Sequence, residues 1–250
     1  MRGVAVVTGA SRGVGRAIAL DLAELGYDIA VGYHSRSGDA AEVVRAIEQL
    51  GRSARALQVD TREPDSCRAL VGRARELGPI RAVVSNATGF ADSSPASTSA
   101  VGTSIATYTE MFTARVGAVL SLVEAAGDDL HDGGRIVALA STGTRRHVPG
   151  YAPIAVSMAA AEALIRYLAA ELGRAGVTAN IASGGVIDTE ALSAISANPE
   201  RLKTIVAKAT PLGRVGQARD LAGLVKFLCG DDGGWVNGQT LIADGGNLIA

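Results

Sequence analysis

Cysteine and lysine are both scarce in this chain, and each scarcity narrows its chemistry. Cys67 and Cys229 are the only cysteines in 250 residues and have no metal-ligand spacing, so two reduced structural thiols and no metal are expected. Lysine stands only at 203, 208 and 226, which leaves the positive charge almost wholly to arginine. There is no charge excess: 24 Lys and Arg against 25 Asp and Glu give a formal net charge of -1, which argues against a nucleic-acid footprint. No apolar run approaches the ~18 residues of a membrane span. Met1-Arg2 leads directly into an apolar stretch, leaving no room for a signal peptide. These absences point to a soluble, cytoplasmic protein that acts on a small molecule, away from nucleic acid and membrane.

Glycine and apolar residues are plentiful. Gly numbers 31 and hydrophobic residues make up 48% of the chain, which suits apolar parallel strands joined by tight turns. Strand-like and helix-like stretches alternate. Strands are expected at Gly3–Val7, Asp28–Tyr33, Ala54–Val59, Ile80–Ser85, Arg135–Ala140, Val177–Ala182 and Thr240–Ala243. Helices are expected from Arg16, at Asp39–Leu50, Pro64–Leu77, Ile105–Leu130 and Pro153–Gly173, with Ala91–Ser104 a long Ser/Thr/Ala-rich connection. Such alternation implies an α/β fold: a single Rossmann-type, doubly wound domain over residues 1–250, with a seven-stranded parallel sheet and helices on both faces.

Ligands of such sheets bind beyond the carboxyl ends of the strands. After the first strand, Thr8-Gly9-Ala10-Ser11-Arg12-Gly13-Val14-Gly15 forms a glycine-rich turn into a helix. Gly9, Gly13 and Gly15, with Ser11, Arg12 and Val14 between them, let backbone N–H groups and a helix N-terminus approach a diphosphate. A tight turn with no ligand is the plainer alternative. After the second strand, Tyr33-His34-Ser35-Arg36-Ser37 carries no carboxylate, so Arg36 and Arg12 are candidates for a 2′-phosphate, which favours NADPH. Asp60, followed by Thr61, is placed to meet the adenine edge, and Asn86, followed by Ala87, the ribose side of the cleft.

Together these residues resemble the short-chain dehydrogenase/reductase family. The resemblance is carried by Thr8-Gly9-x-x-x-Gly13-x-Gly15, Asp60, Ser85-Asn86-Ala87, Ser141, Asn180 and Gly185-Val186-Ile187-Asp188-Thr189. The stretch from Arg214-Val215-Gly216 through Asp220 and Gly238-Gln239-Thr240 to Asp244-Gly245-Gly246 extends it. The resemblance implies that Ile187 and Thr189, after Gly185, hold the nicotinamide carboxamide, and that the protein is a homotetramer. It also places a substrate lid at Glu190–Pro211.

The catalytic frame departs from the family pattern. Ser141 is present, but Ile154 stands at the tyrosine position, Met158 at the lysine position and Ala114 at the asparagine position. One subset fits better: the chain is similar to type III enoyl-acyl-carrier-protein reductases and cyclohexenylcarbonyl-CoA reductases, in which the tyrosine precedes the lysine position by seven residues, as Tyr151 precedes Met158 here. The stretch Ser183-Gly184-Gly185-Val186-Ile187-Asp188-Thr189-Glu190-Ala191-Leu192 carries the same likeness. The reading that follows is NADPH-dependent reduction of an α,β-unsaturated thioester, linked to CoA or to an acyl carrier protein, in fatty-acid or polyketide metabolism. Tyr151 is the donor to the thioester oxygen, and Ser141 a second donor or orienter. Arg145-Arg146-His147 is a candidate for the carrier's phosphates, with a solvated basic loop as the alternative. Two other readings stay open. One is a ketoreductase with a non-standard acid drawn from Arg145, Arg146 or His147; the other is a catalytically silent dinucleotide binder.

Overall fold

The computed structural model describes residues 2–87, 99–190, 192 and 198–250. Seven strands form one sheet: β1 Val4–Val7, β2 Asp28–Tyr33, β3 Ala54–Gln58, β4 Ile80–Ser85, β5 Arg135–Ser141, β6 Thr178–Gly184 and β7 Thr240–Ala243. Their order is β3-β2-β1-β4-β5-β6-β7, and every neighbouring pair is parallel. The order reverses between β1 and β4, the switch point beyond whose carboxyl ends such sheets bind ligands. The β1 strand is buried along its whole length, as both faces of a parallel sheet must be covered.

Helices α1 Gly13–Glu24 and α2 Ser37–Gln49 cover one face, joined there by a helix over Ala218–Cys229. Helices α3 Pro64–Ala74, α4 Ile105–Phe112, α5 Ala118–Ala126 and α6 Ala152–Leu172 follow in chain order, and α3, α5 and α6 fill the opposite face. Two more helices follow: α7 Pro199–Ala209 lies inside the expected lid segment Glu190–Pro211, and α8 Ala218–Cys229 in the stretch that carries family motifs. The apolar spacing of Leu221, Ala222, Val225 and Leu228, all buried, is the signal for α8. A capping box of Gln217 and Asp220 starts this helix.

The helix expected over Ile105–Leu130 is interrupted. A π-turn at Thr113–Gly117 separates α4 from α5, and Gly127–Leu130 is a 3₁₀ turn. The one described helix long and apolar enough to cross a membrane, Ala152–Ala175, packs on β5 and β6 and serves as a core helix. The connection expected at Ala91–Ser104 lies largely outside the described residues, as does part of Glu190–Pro211. Both cysteines are buried and free, and burial pushes the Cys67 thiol up to about 11 and Cys229 up to about 12, as suits inert core residues.

Candidate functional site

At the β1 end of the cleft the chain closes a tight turn. Gly9 has φ 64° and Gly13 φ 54°, a region that glycine enters without strain. A Cβ at Gly15 would lie 2.1 Å from the Gly9 carbonyl oxygen, so the third glycine is fixed by close packing. Helix α1 starts at Gly13 with no side-chain cap and no acidic residue in its first turn, which leaves its N–H groups and positive dipole for an anion. Asn86 also braces the turn. Its side-chain amide donates to the carbonyls of Thr8 at 2.9 Å and Gly9 at 3.1 Å. The Asn86 and Ala87 backbone N–H groups both donate to Thr8 Oγ1 at 3.1 Å.

Arg12 and Arg36 converge on one carboxylate that the sequence did not single out. The Glu190 carboxylate pairs with Arg12 and lies 3.5 Å from Arg36, which also reaches Asp39 at 3.4 Å. An acidic group therefore sits between two guanidinium groups, a stand-in for a phosphate. Ser35 is exposed beside Arg36. Thr189 lies at the α1 N-terminus, where a Cβ on Gly13 would come 3.5 Å from its methyl group. Lys203 of α7 pairs with Asp188 at 2.8 Å, so the 188–190 strap is held from both sides. Ile187 bridges to Gly216, and Gly185 N–H donates to the Ala243 carbonyl at 3.1 Å. A cavity of about 220 Å³ touches Gly185 and Ile187 but reaches neither Ser141 nor Tyr151.

Asp60 is occupied as well. Arg62 donates to it through Nε at 2.9 Å, Nη2 at 2.6 Å and its backbone N–H at 3.0 Å, and the Arg62 side chain, more than any other group, holds the carboxyl below its usual range. Thr61 beside it is buried. The turn, strap and paired arginines fit a dinucleotide carrying a 2′-phosphate: the uncapped helix start suits its diphosphate, and the Glu190 position suits the extra charge.

At the β5 end, Ser141 closes the strand and Tyr151 sits at the cap of α6, its carbonyl accepting from Ala155 N–H at 2.9 Å. Ser141 Oγ donates to Tyr151 Oη at 3.2 Å and accepts from Gly143 N–H at 3.3 Å. Gly143 was not anticipated. A Cβ there would lie 2.7 Å from the Tyr151 ring, so the bare backbone seats the ring. Ile154 and Met158 are buried and apolar, and Ser157 Oγ is spent on the Ile154 carbonyl at 2.8 Å. Arg145, Arg146 and His147 are exposed.

One charged group at this end also escaped the sequence reading. Arg115, in the π-turn, is 6% exposed, and its Nε and Nη2 are buried without a hydrogen-bond partner among the described residues. Burial pulls its pKa below the ordinary arginine value, and Tyr151 is the one group that opposes this. The signal lay in the helical spacing. Met111, Arg115, Ala118 and Leu122 form one stripe, apolar and buried except for the charge.

Comparison with known proteins places these features in context. A family model described as enoyl-(acyl carrier protein) reductase matches residues 9–247. An NADPH-dependent aldehyde reductase-like protein, chloroplastic, from Arabidopsis thaliana is 39% identical across 97% of this chain and 93% of its own length. The 1-cyclohexenylcarbonyl-CoA reductase of Streptomyces collinus is 33% identical across 99% of this chain and 88% of its own. Among solved structures, a short chain dehydrogenase from Burkholderia cenocepacia in complex with NADP superposes with a TM-score of 0.89 at 34% identity, covering 99% of this chain and 98% of that one.

Proposed function

The chain belongs to the short-chain dehydrogenase/reductase family, and from that premise we propose that it is an NADPH-dependent reductase of an α,β-unsaturated thioester. The observation that carries the reading is the Ser141–Tyr151 pair, set against two buried apolar residues, Ile154 and Met158. NADPH supplies a hydride when bound. The first turn of α1 takes the diphosphate, Arg12 and Arg36 take the 2′-phosphate in place of Glu190, and Ile187 and Thr189 take the carboxamide. Gly9, Ser11, Gly13, Val14, Gly15, Ser35, Asp60, Thr61, Asn86, Ala87 and Gly185 complete the cofactor walls.

Ser141 directs its hydroxyl proton at Tyr151 Oη, which leaves the tyrosine's own proton to donate elsewhere. Tyr151 then gives that hydrogen bond to the thioester oxygen, where negative charge gathers as the β-carbon is reduced. Ser141 is thus the orienter. An enolate needs a strong donor at oxygen and takes its proton at the α-carbon later from water. Such a step tolerates the apolar Met158, whereas making an alcohol requires a full proton at oxygen in the same event.

Carbonyl reduction is the second reading, favoured by the 39% identity to the aldehyde reductase-like protein, because the same donor pair would hold a ketone or aldehyde oxygen. NADPH oxidation followed with crotonyl-CoA beside acetoacetyl-CoA separates the two. Faster turnover of the enoyl thioester is expected; preference for the oxo compound, or turnover of neither, overturns the proposal. The carrier's phosphates are assigned to Arg145–His147, and the assembly to a cytoplasmic homotetramer, which size-exclusion chromatography with light scattering tests.

A further inference from the structure

Arg115 has no evident structural employment. A guanidinium nine-tenths buried normally spends its N–H groups on carboxylates or carbonyls, because an unpaired buried charge is costly. Here Nε and Nη2 are buried with no hydrogen-bond partner among the described residues. Its neighbours on the helix stripe, Met111, Ala118 and Leu122, offer no hydrogen bond from their side chains. The π-turn that carries it packs against α6, the helix that begins beside Tyr151. Single π-turns recur where a helix must re-aim a side chain, often at functional sites. Helix α6, which packs against this turn, carries the buried Ile154 and Met158 in its first two turns, and neither is charged. The buried cation at this end among the described residues therefore comes from the turn packed against α6.

We propose that Arg115 is the positioning residue for Tyr151: its charge strengthens the tyrosine hydroxyl as a donor to the substrate oxygen. The proposal rests on the role given to Tyr151 above. Positive potential beside the phenol favours electron density on Oη, so the O–H bond polarises and its hydrogen bond to a developing oxyanion tightens. The effect belongs to the charged transition state, so it falls on kcat and leaves substrate affinity nearly untouched. A buried cation kept for this purpose also costs stability, so its removal does not destabilise the fold.

The test is a double-mutant cycle in which Arg115→Met, Arg115→Lys, Tyr151→Phe and Arg115→Met/Tyr151→Phe are assayed for crotonyl-CoA reduction and thermal melting. Arg115→Met is expected to lower kcat by about 10- to 100-fold, the scale on which a partner that orients a functional group counts. KM stays within about threefold, the melting temperature does not fall, and Arg115→Lys recovers most of the rate. In the Tyr151→Phe background the second substitution costs nothing further. Additive losses, a lowered melting temperature in Arg115→Met, or a Lys variant as slow as the Met variant would overturn the proposal while leaving Tyr151 in place. A Tyr151→Phe variant with unchanged kcat would overturn both the role of Tyr151 and that of Arg115.

Discussion

The two ends of the cleft handle charge in opposite ways. At the cofactor end, the charged groups lie at or near the surface and are paired: Arg12 with Glu190, Arg36 with Asp39 and Asp60 with Arg62. At the other end Arg145 and Arg146 are exposed, but Arg115 is buried, and its Nε and Nη2 have no partner among the described residues. Exposed pairs are worth little, about 0–1 kcal/mol, so an incoming phosphate can replace the Glu190 carboxylate at small cost. A buried cation without a partner is expensive and persists where the surrounding fold has a use for it. The cofactor end is built for exchange, and the catalytic end for a fixed field.

Substitutions at the cofactor end should disturb binding first. The largest effect is expected from Gly15→Ala, whose methyl would meet the Gly9 carbonyl 2.1 Å away. The turn must open, costing about 1–3 kcal/mol or more, so NADPH binding falls by at least ~10-fold and the melting temperature drops. Isothermal titration and melting curves check both. Arg36→Ala is smaller: NADPH binding weakens by roughly tenfold while NADH binding is unchanged, measured by fluorescence titration. Equal weakening of both would remove Arg36 from the 2′-phosphate. Glu190→Gln works in the opposite direction. Removing the competing carboxylate tightens NADPH by about two- to fivefold, the range of an exposed pair.

The smallest effect is a pH dependence. Arg62 holds the Asp60 carboxyl below its usual range, so the stability it contributes is present above the ordinary carboxylate pKa, about 3.9, and is lost as pH falls through the lower folded value. Asp60→Asn should therefore lower the melting temperature slightly at neutral pH, with the gap closing in acid. A gap that stays constant down to pH 3 would contradict the pairing.

The strands were legible in the sequence because buried parallel strands are short apolar runs bounded by turn residues. Thr240–Ala243 and Ile80–Ser85 lie where that pattern puts them. The glycine turn was legible because only glycine meets its steric demands. The α8 helix was equally written, in Leu221, Ala222, Val225 and Leu228, but that stretch had been read through motifs and not through its period. The π-turn at Thr113–Gly117 was not legible, since no residue type in Thr-Ala-Arg-Val-Gly encodes it and tertiary packing decides it. Glu190 was hidden because its partners lie some 150 to 180 positions earlier in the chain, at Arg12 and Arg36. Gly143 was hidden because its constraint is the ring of Tyr151, which only the folded loop brings near.

The division between the two ends is tested most directly by one variant measured twice. For Tyr151→Phe, kcat with crotonyl-CoA and the dissociation constant for NADPH are determined on the same preparation. The account predicts that kcat falls by about 100-fold, as on losing one donor to a developing oxyanion, while NADPH binding is unchanged. A kcat equal to that of the unsubstituted protein, or parallel losses in both quantities, would contradict it.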